Sequence, residues 1–276
     1  MIKLLKIECK KIMTYKVFWI LFGLYFFFLA AGILMAEFMI NHMVDGMNHR
    51  LPIPLPHVTL YYFPEVWQNL AFFASIRYVL IFPAIIVIML ITNEFTYRTI
   101  RQNIINGMSK GEFIVSKLMV IFLMAVFTSL VLGFGAFFIG VAHSGLNEMA
   151  ILAKGIPFIF GFFVAMLSFL IYSFFFGFLF RNTGLAIALF TLYTLIIEPI
   201  FYYFLKSPLV FKNQISAYLP VNAAIRVTEY PAITVLKKIM GLELQRGISL
   251  TTCAIPLLYG SVMIAMVYWI MYKRDL

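Results

Sequence analysis

The chain is dominated by uninterrupted apolar runs, at 17–40, 70–92, 113–142, 155–180, 185–205 and 249–271. Each is about 20 residues or longer, the length a helix rising 1.5 Å per residue needs to cross the ~30 Å hydrocarbon core of a bilayer. The runs are continuous instead of alternating every second residue, so they read as helices and not as barrel strands. The expected fold class is therefore an all-α integral membrane protein with six transmembrane helices, as one membrane domain over 1–276.

Composition agrees with this. The chain is 63% hydrophobic and 12% charged, with 31 Phe and a mean hydropathy of +0.99; a soluble domain carries about 25% charged residues. The net charge is +10. In a membrane protein, excess Lys and Arg sets topology and attracts anionic headgroups, so the lipid bilayer is the expected partner and nucleic acid is not. The two cysteines, Cys9 and Cys253, stand far apart and form neither a disulfide framework nor a metal cluster.

Residues 1–16 carry Lys3, Lys6, Lys10, Lys11 and Lys16, while Ile2, Leu5, Cys9, Ile12 and Met13 recur at helical spacing. This is a basic amphipathic helix expected to lie on the membrane surface. The long charged segment, an apolar run of more than 20 residues and the lack of a small-residue cleavage site argue against a signal peptide. The segment 41–69, with Pro52, Pro54 and Pro56, is expected as an external loop. Pro83 is the expected kink of span two. Residues 206–248 form a mixed external segment with short helices, and 181–184 a tight turn. Five lysines at the N-terminus, Arg98, Arg101, Lys110 and Lys117 between spans two and three, Arg181, and Lys273 with Arg274 then share one side. That places both termini in the cytoplasm. The six basic residues of 206–248 run against the rule.

The longest polar interruption in the first half is 94–117. Asn106-Gly107 signals a helix stop, and Ser109 with Glu112 forms a capping box. The expectation is a short helix over 94–105, a sharp turn, and a new helix from Ser109. Glu94 and Arg98, four apart, are expected to pair on one face. Phe95 and Ile104 would face the bundle, and Arg98 and Arg101 the solvent. A plain solvated loop is the competing reading.

This elbow resembles one found in membrane (permease) subunits of the type-2 ATP-binding-cassette (ABC) exporter superfamily. The loose pattern there is an acid, T-x-R, G-x-S-R/K, then an aromatic and a Lys. It is matched here by Glu94, Thr99-Ile100-Arg101, Gly107-Met108-Ser109-Lys110, Phe113 and Lys117; Arg98 stands where the family often has Gly. Y-L-P-V-N-A at 218–223 is similar to the family's external short helices. The resemblance covers nearly the whole chain. It implies a homodimer or heterodimer of such subunits and a separate ATPase subunit that holds ATP and Mg. It also implies a coupling role for Glu94, Phe95, Arg98, Arg101, Ile104, Gly107, Ser109, Lys110 and Glu112. No cofactor and no catalysis are then expected of this chain, which carries no G-x-x-x-x-G-K-[ST] loop. The implied location is the cell's inner (plasma) membrane, multi-pass.

Other readings compete. Glu94-x-x-x-Arg98 matches the core of CAAX-type intramembrane proteases, but these need further His residues in spans and only His143 follows Glu94. A secondary transporter would need broken spans in matching halves, and only Glu198-Pro199 qualifies. Met35, Met39, Met43 and Met47 recur every four residues near His42, a soft-metal pattern that packing explains as well. Glu37 and Arg77 are expected to reach the outer headgroups. Glu198-Pro199 is expected to serve inside the bundle as hinge, ion pair or pathway. Gly133, Gly135, Gly140, Gly161 and Gly177 would permit close helix packing.

Overall fold

The computed structural model describes residues 2–49, 60–144, 155–206, 214–228 and 248–273. Helices α1 (Ile2–Thr14), α2 (Lys16–Asn48), α3 (Glu65–Ala74), α4 (Arg77–Thr96), α5 (Thr99–Ile105), α6 (Lys110–Ser144) and α7 (Ile156–Phe180) follow in order. Next come α8 (Thr183–Leu192), a π-helical turn (Tyr193–Ile197), α9 (Glu198–Lys206), a short 3₁₀ turn (Gln214–Tyr218), α10 (Pro220–Ile225) and α11 (Leu250–Lys273). No strand occurs among the described residues. Six helices are long and apolar enough to cross a membrane, with α8, the π turn and α9 forming one continuous span. The chain is a multi-pass membrane protein.

The bundle is built around α7. Its most apolar stretch is 72% buried, against 11% for α2. Phe162, Phe169, Phe174 and Phe178 are all wholly enclosed. Helices α4, α6 and α11 pack around it, and glycine sets how closely they come. A Cβ on Gly177 would stand 3.2 Å from the Cβ of Ile91 on α4. At Gly140 and Gly161 it would overlap Phe63 and Ile248, whereas Gly135 meets nothing. Gly140, Gly161 and Gly177 thus serve packing within one chain, and Gly135 does not.

Several boundaries differ from those expected. Span one does not stop at 40: α2 continues to Asn48, because nothing before Gly46 terminates it. Span two breaks at Ser75-Ile76 and not at Pro83. The Ser75 hydroxyl bonds the Ala71 carbonyl at 2.8 Å and Ile76 is extended, so the chain leaves the helical path there. Helix α4 runs unbroken through Pro83. The proline run at 52–56, residues 145–154, 207–213 and 229–247, and Arg274 lie outside the described residues, as do the side chains of Lys3, Lys6, Cys9, Met43 and Met47.

Candidate functional site

The elbow is assembled from three backbone events. Helix α4 ends at Thr96, and Arg98 then takes a left-handed conformation with φ of 55°. The left-handed region is costly for a side chain with a Cβ, and it turns the chain sharply into α5. Gly107, with φ of 96°, ends the elbow after α5. The capping box forms as expected: the Ser109 N–H donates to Glu112 at 2.8 Å and the Glu112 N–H donates to the Ser109 hydroxyl at 3.1 Å.

The expected Glu94–Arg98 pair is not made. The left-handed turn at Arg98 carries its side chain off the face that Glu94 occupies, and Arg98 is exposed. Glu94 is instead buried and points inward. Its carboxylate accepts from the Lys117 ammonium at 2.6 Å and from Lys11 at 3.2 Å, and the Thr99 hydroxyl donates to its other oxygen. Lys117 also reaches Glu8 of α1 at 2.6 Å. Its side chain is only 2% exposed, and those of Glu8 and Glu94 are 6% and 7% exposed. One ammonium on α6 therefore bolts together α1, α4 and the start of α5. Sequence spacing could not reveal this cluster, whose members lie 23 to 109 residues apart.

Other contacts stiffen the same end. Ile100 is buried and anchors α5 beneath, with Phe95 and Ile104 packed against the core. Phe95 stacks edge-on against Phe178 at 5.5 Å, and the Arg181 guanidinium lies 4.9 Å over its ring. Arg181 itself turns left-handed to end α7, and the Asn182 side chain caps α8 by accepting from the Leu185 N–H at 3.1 Å. This is the tight turn expected at 181–184. The Lys110 ammonium donates to the Met271 carbonyl at 3.1 Å near the end of α11, where carbonyls lack helical partners.

The outer face of the elbow is exposed. Tyr97, Arg98, Arg101, Gln102 and Ile105 all stand in the open, Ile105 at 83%. Beside them a hollow of about 360 Å³ is lined by Glu94, Phe95, Thr96, Arg98, Ile100, Arg101 and Arg181. Arg181 belongs to this surface although it lies far from Phe95 in sequence; only folding brings the turn after α7 against that ring.

At the opposite end, the geometry around Glu198 follows from Pro199. In the π turn each N–H reaches back five residues, as Glu198 does to Tyr193. The partner of the Thr194 carbonyl would then be the N–H of residue 199, which proline lacks. The Arg77 guanidinium takes its place at 2.9 Å. Arg77 thus turns inward to the carbonyl that Pro199 leaves without an amide partner, contrary to the expected headgroup position. Glu198 is buried, and its carboxylate accepts the N–H groups of Val221 at 3.1 Å and Asn222 at 2.5 Å. From this interior position it holds α10 against the span. Glu37 is half-buried and accepts the Leu60 N–H at 3.3 Å. Met35 and Met39 are exposed and His42 lies beside Phe38; no group of three His, Cys, Asp or Glu converges among the described residues.

No family model, no curated protein and no solved structure matches this chain.

Proposed function

We propose that this chain is the membrane-spanning subunit of an ABC transporter, an exporter resembling the type-2 superfamily, coupled through its elbow to a separate ATPase subunit. The single observation that carries the reading is the contrast within the elbow. Its inner side is locked by the Glu94–Lys117–Glu8 cluster, while its outer side exposes arginines and isolated apolar side chains. A stiff lever with a sticky outer face suits a segment that takes up force from a soluble partner.

Charge supports the orientation. Among residues with described side chains, Lys10, Lys11, Lys16, Arg98, Arg101, Lys110, Lys117, Arg181 and Lys273 cluster at the elbow end. Arg77, Lys206 and Arg226 belong to the other. By the positive-inside tendency the elbow end faces the cytoplasm of a cell's inner (plasma) membrane, where ATP is available. In this arrangement the ATPase closes on ATP and Mg, pushes α5, and the push passes through Lys117 into α6 and through Glu8 into α1. Two permease chains, identical or different, would line the path.

The protease reading is less well supported by the geometry. Glu94 is engaged by two lysines and Thr99, and His143 sits beside Tyr61 at the far end of α6. The 26 residues from Lys117 to His143 correspond to about 39 Å of helix.

The test is affinity purification of the full chain from its native membrane, followed by ATP-turnover measurement. The expected result is co-purification of an ATPase that Arg98→Glu with Arg101→Glu releases while the chain stays folded. Co-purification undiminished by the double charge reversal would defeat the elbow reading; absence of any ATPase would defeat the transporter reading.

A further inference from the structure

At the elbow end a crevice of about 260 Å³ opens between the α1–α2 junction and the last three turns of α4. Its lining is graded along the bundle axis. Lys11, Tyr15, Asn93 and Tyr97 stand at the end level with the elbow, over the closed Glu8–Lys117–Glu94 cluster. Farther into the span the walls are Phe18 and Leu21 from α2, with Ile86, Met89 and Leu90 from α4. From Asn93 to Ile86 the helix descends about 10 Å. The crevice is thus polar at headgroup depth and apolar at acyl-chain depth.

We infer that this crevice holds one acyl chain of an anionic phospholipid, whose headgroup lies against the basic face of α1. The volume is far above the ~15 Å³ that a single water needs, and the inner walls offer water no polar partner. An empty crevice would forfeit the dispersion contacts of its lining. The bilayer supplies a chain of matching polarity at every moment. The two buried carboxylates are balanced by Lys117 and Lys11 together, so the cluster itself adds no net charge at the mouth. The exposed Lys10 and Lys16 on either side of the α1–α2 junction set the charge there, and basic residues at a membrane surface favour anionic headgroups. Burial, and after it the neighbouring Tyr97, push the Tyr15 hydroxyl pKa above its ordinary range. Its oxygen accepts from the Asn93 side-chain amide at 2.9 Å. The lipid would wedge α1 in place over the elbow cluster, and its binding does not depend on any motor docking below.

Native mass spectrometry of the purified full chain, with phosphatidylglycerol or phosphatidylcholine added in detergent, tests this. One phosphatidylglycerol should be retained, about fivefold more strongly than phosphatidylcholine. Leu90→Trp, which fills the crevice, should weaken retention about tenfold. Phe134→Trp, on the exposed face of α6, should leave it unchanged. Equal retention of the two lipids, full retention by Leu90→Trp, or equal loss in both tryptophan variants would overturn the inference. Should Leu90→Trp fail to fold, a phosphatidylglycerol carrying a photoreactive acyl chain decides on the native sequence. Labelling concentrated in 18–21 and 86–90 supports the site, and labelling spread over the other spans refutes it.

Discussion

Replacing Lys117 with Met keeps the length of the side chain and removes the ammonium that joins three helices. The loss can be sized from the geometry. Two ion pairs at 2.6 Å vanish from a position 2% exposed. Glu94 keeps Lys11 at 3.2 Å and the Thr99 hydroxyl, so it remains partly compensated. Among the described side chains Glu8 keeps only Lys11, at 3.9 Å, and is the one left stranded. Breaking one side of a buried pair costs roughly 3–5 kcal/mol, because the partner's charge stays buried without compensation. The remaining lysine places this case near the lower bound, at ~3 kcal/mol. If stranding of Glu8 is the cause, neutralising it should help. Lys117→Met with Glu8→Gln should recover about 1–2 kcal/mol relative to Lys117→Met alone, a coupling typical of residues in one network. Equilibrium unfolding in mixed micelles, followed by tryptophan fluorescence, measures both. A further readout is trypsin cleavage at Lys10 and Lys11, which should quicken as α1 loosens. A loss below ~1 kcal/mol for Lys117→Met, or strictly additive effects of the two substitutions, would show that the cluster is an incidental contact and not the bolt of the elbow.

Two other outcomes follow from the packing and the π turn. Arg77→Met should destabilise by about 1–3 kcal/mol by orphaning the Thr194 carbonyl; adding Pro199→Ala, which restores an N–H, should reduce that penalty in the same unfolding assay, and no reduction would refute the substitution of guanidinium for amide. Gly140→Ala should cost about 1–3 kcal/mol because its Cβ overlaps the Phe63 ring, whereas the overlap at Gly161 is with the terminal methyl of Ile248, the far end of a flexible side chain, with Val227 at 3.3 Å, so Gly161→Ala should cost less; an inverted order in melting temperature would contradict it.

Much of the architecture is legible in the apolar runs, and near the elbow the capping box and the stop are too, but the helix expected over 94–105 is split: Glu94 to Thr96 end α4 and the short helix is Thr99–Ile105, because Arg98 turns left-handed between them. The capping box at Ser109 and Glu112, the stop at Gly107 and the turn at 181–184 depend on residues a few positions apart, whose geometry the backbone dictates wherever they fall. Helix ends were less legible. Nothing between 40 and 48 distinguishes a helix leaving the bilayer from a loop, and the break at Ser75 depends on a side chain that also suits a continuing helix.

What the sequence determined by itself was that this chain spans a membrane several times as helices, because hydrocarbon solvates no unpaired backbone group and each apolar run must satisfy its own. It also determined where a polar stretch interrupts those runs. The tertiary structure alone decided the partners of the buried charges. Glu94 had a plausible local mate in Arg98, four residues on, yet it is held by Lys117 and Lys11. Arg77 had an easy route to the headgroups, yet it serves a carbonyl that Pro199 left bare. In both cases a charge or carbonyl inside a low-dielectric bundle costs far more unpaired than a surface ion pair is worth, so the deeper demand claimed the partner, and which helices met there was set only when α7 gathered the others around it.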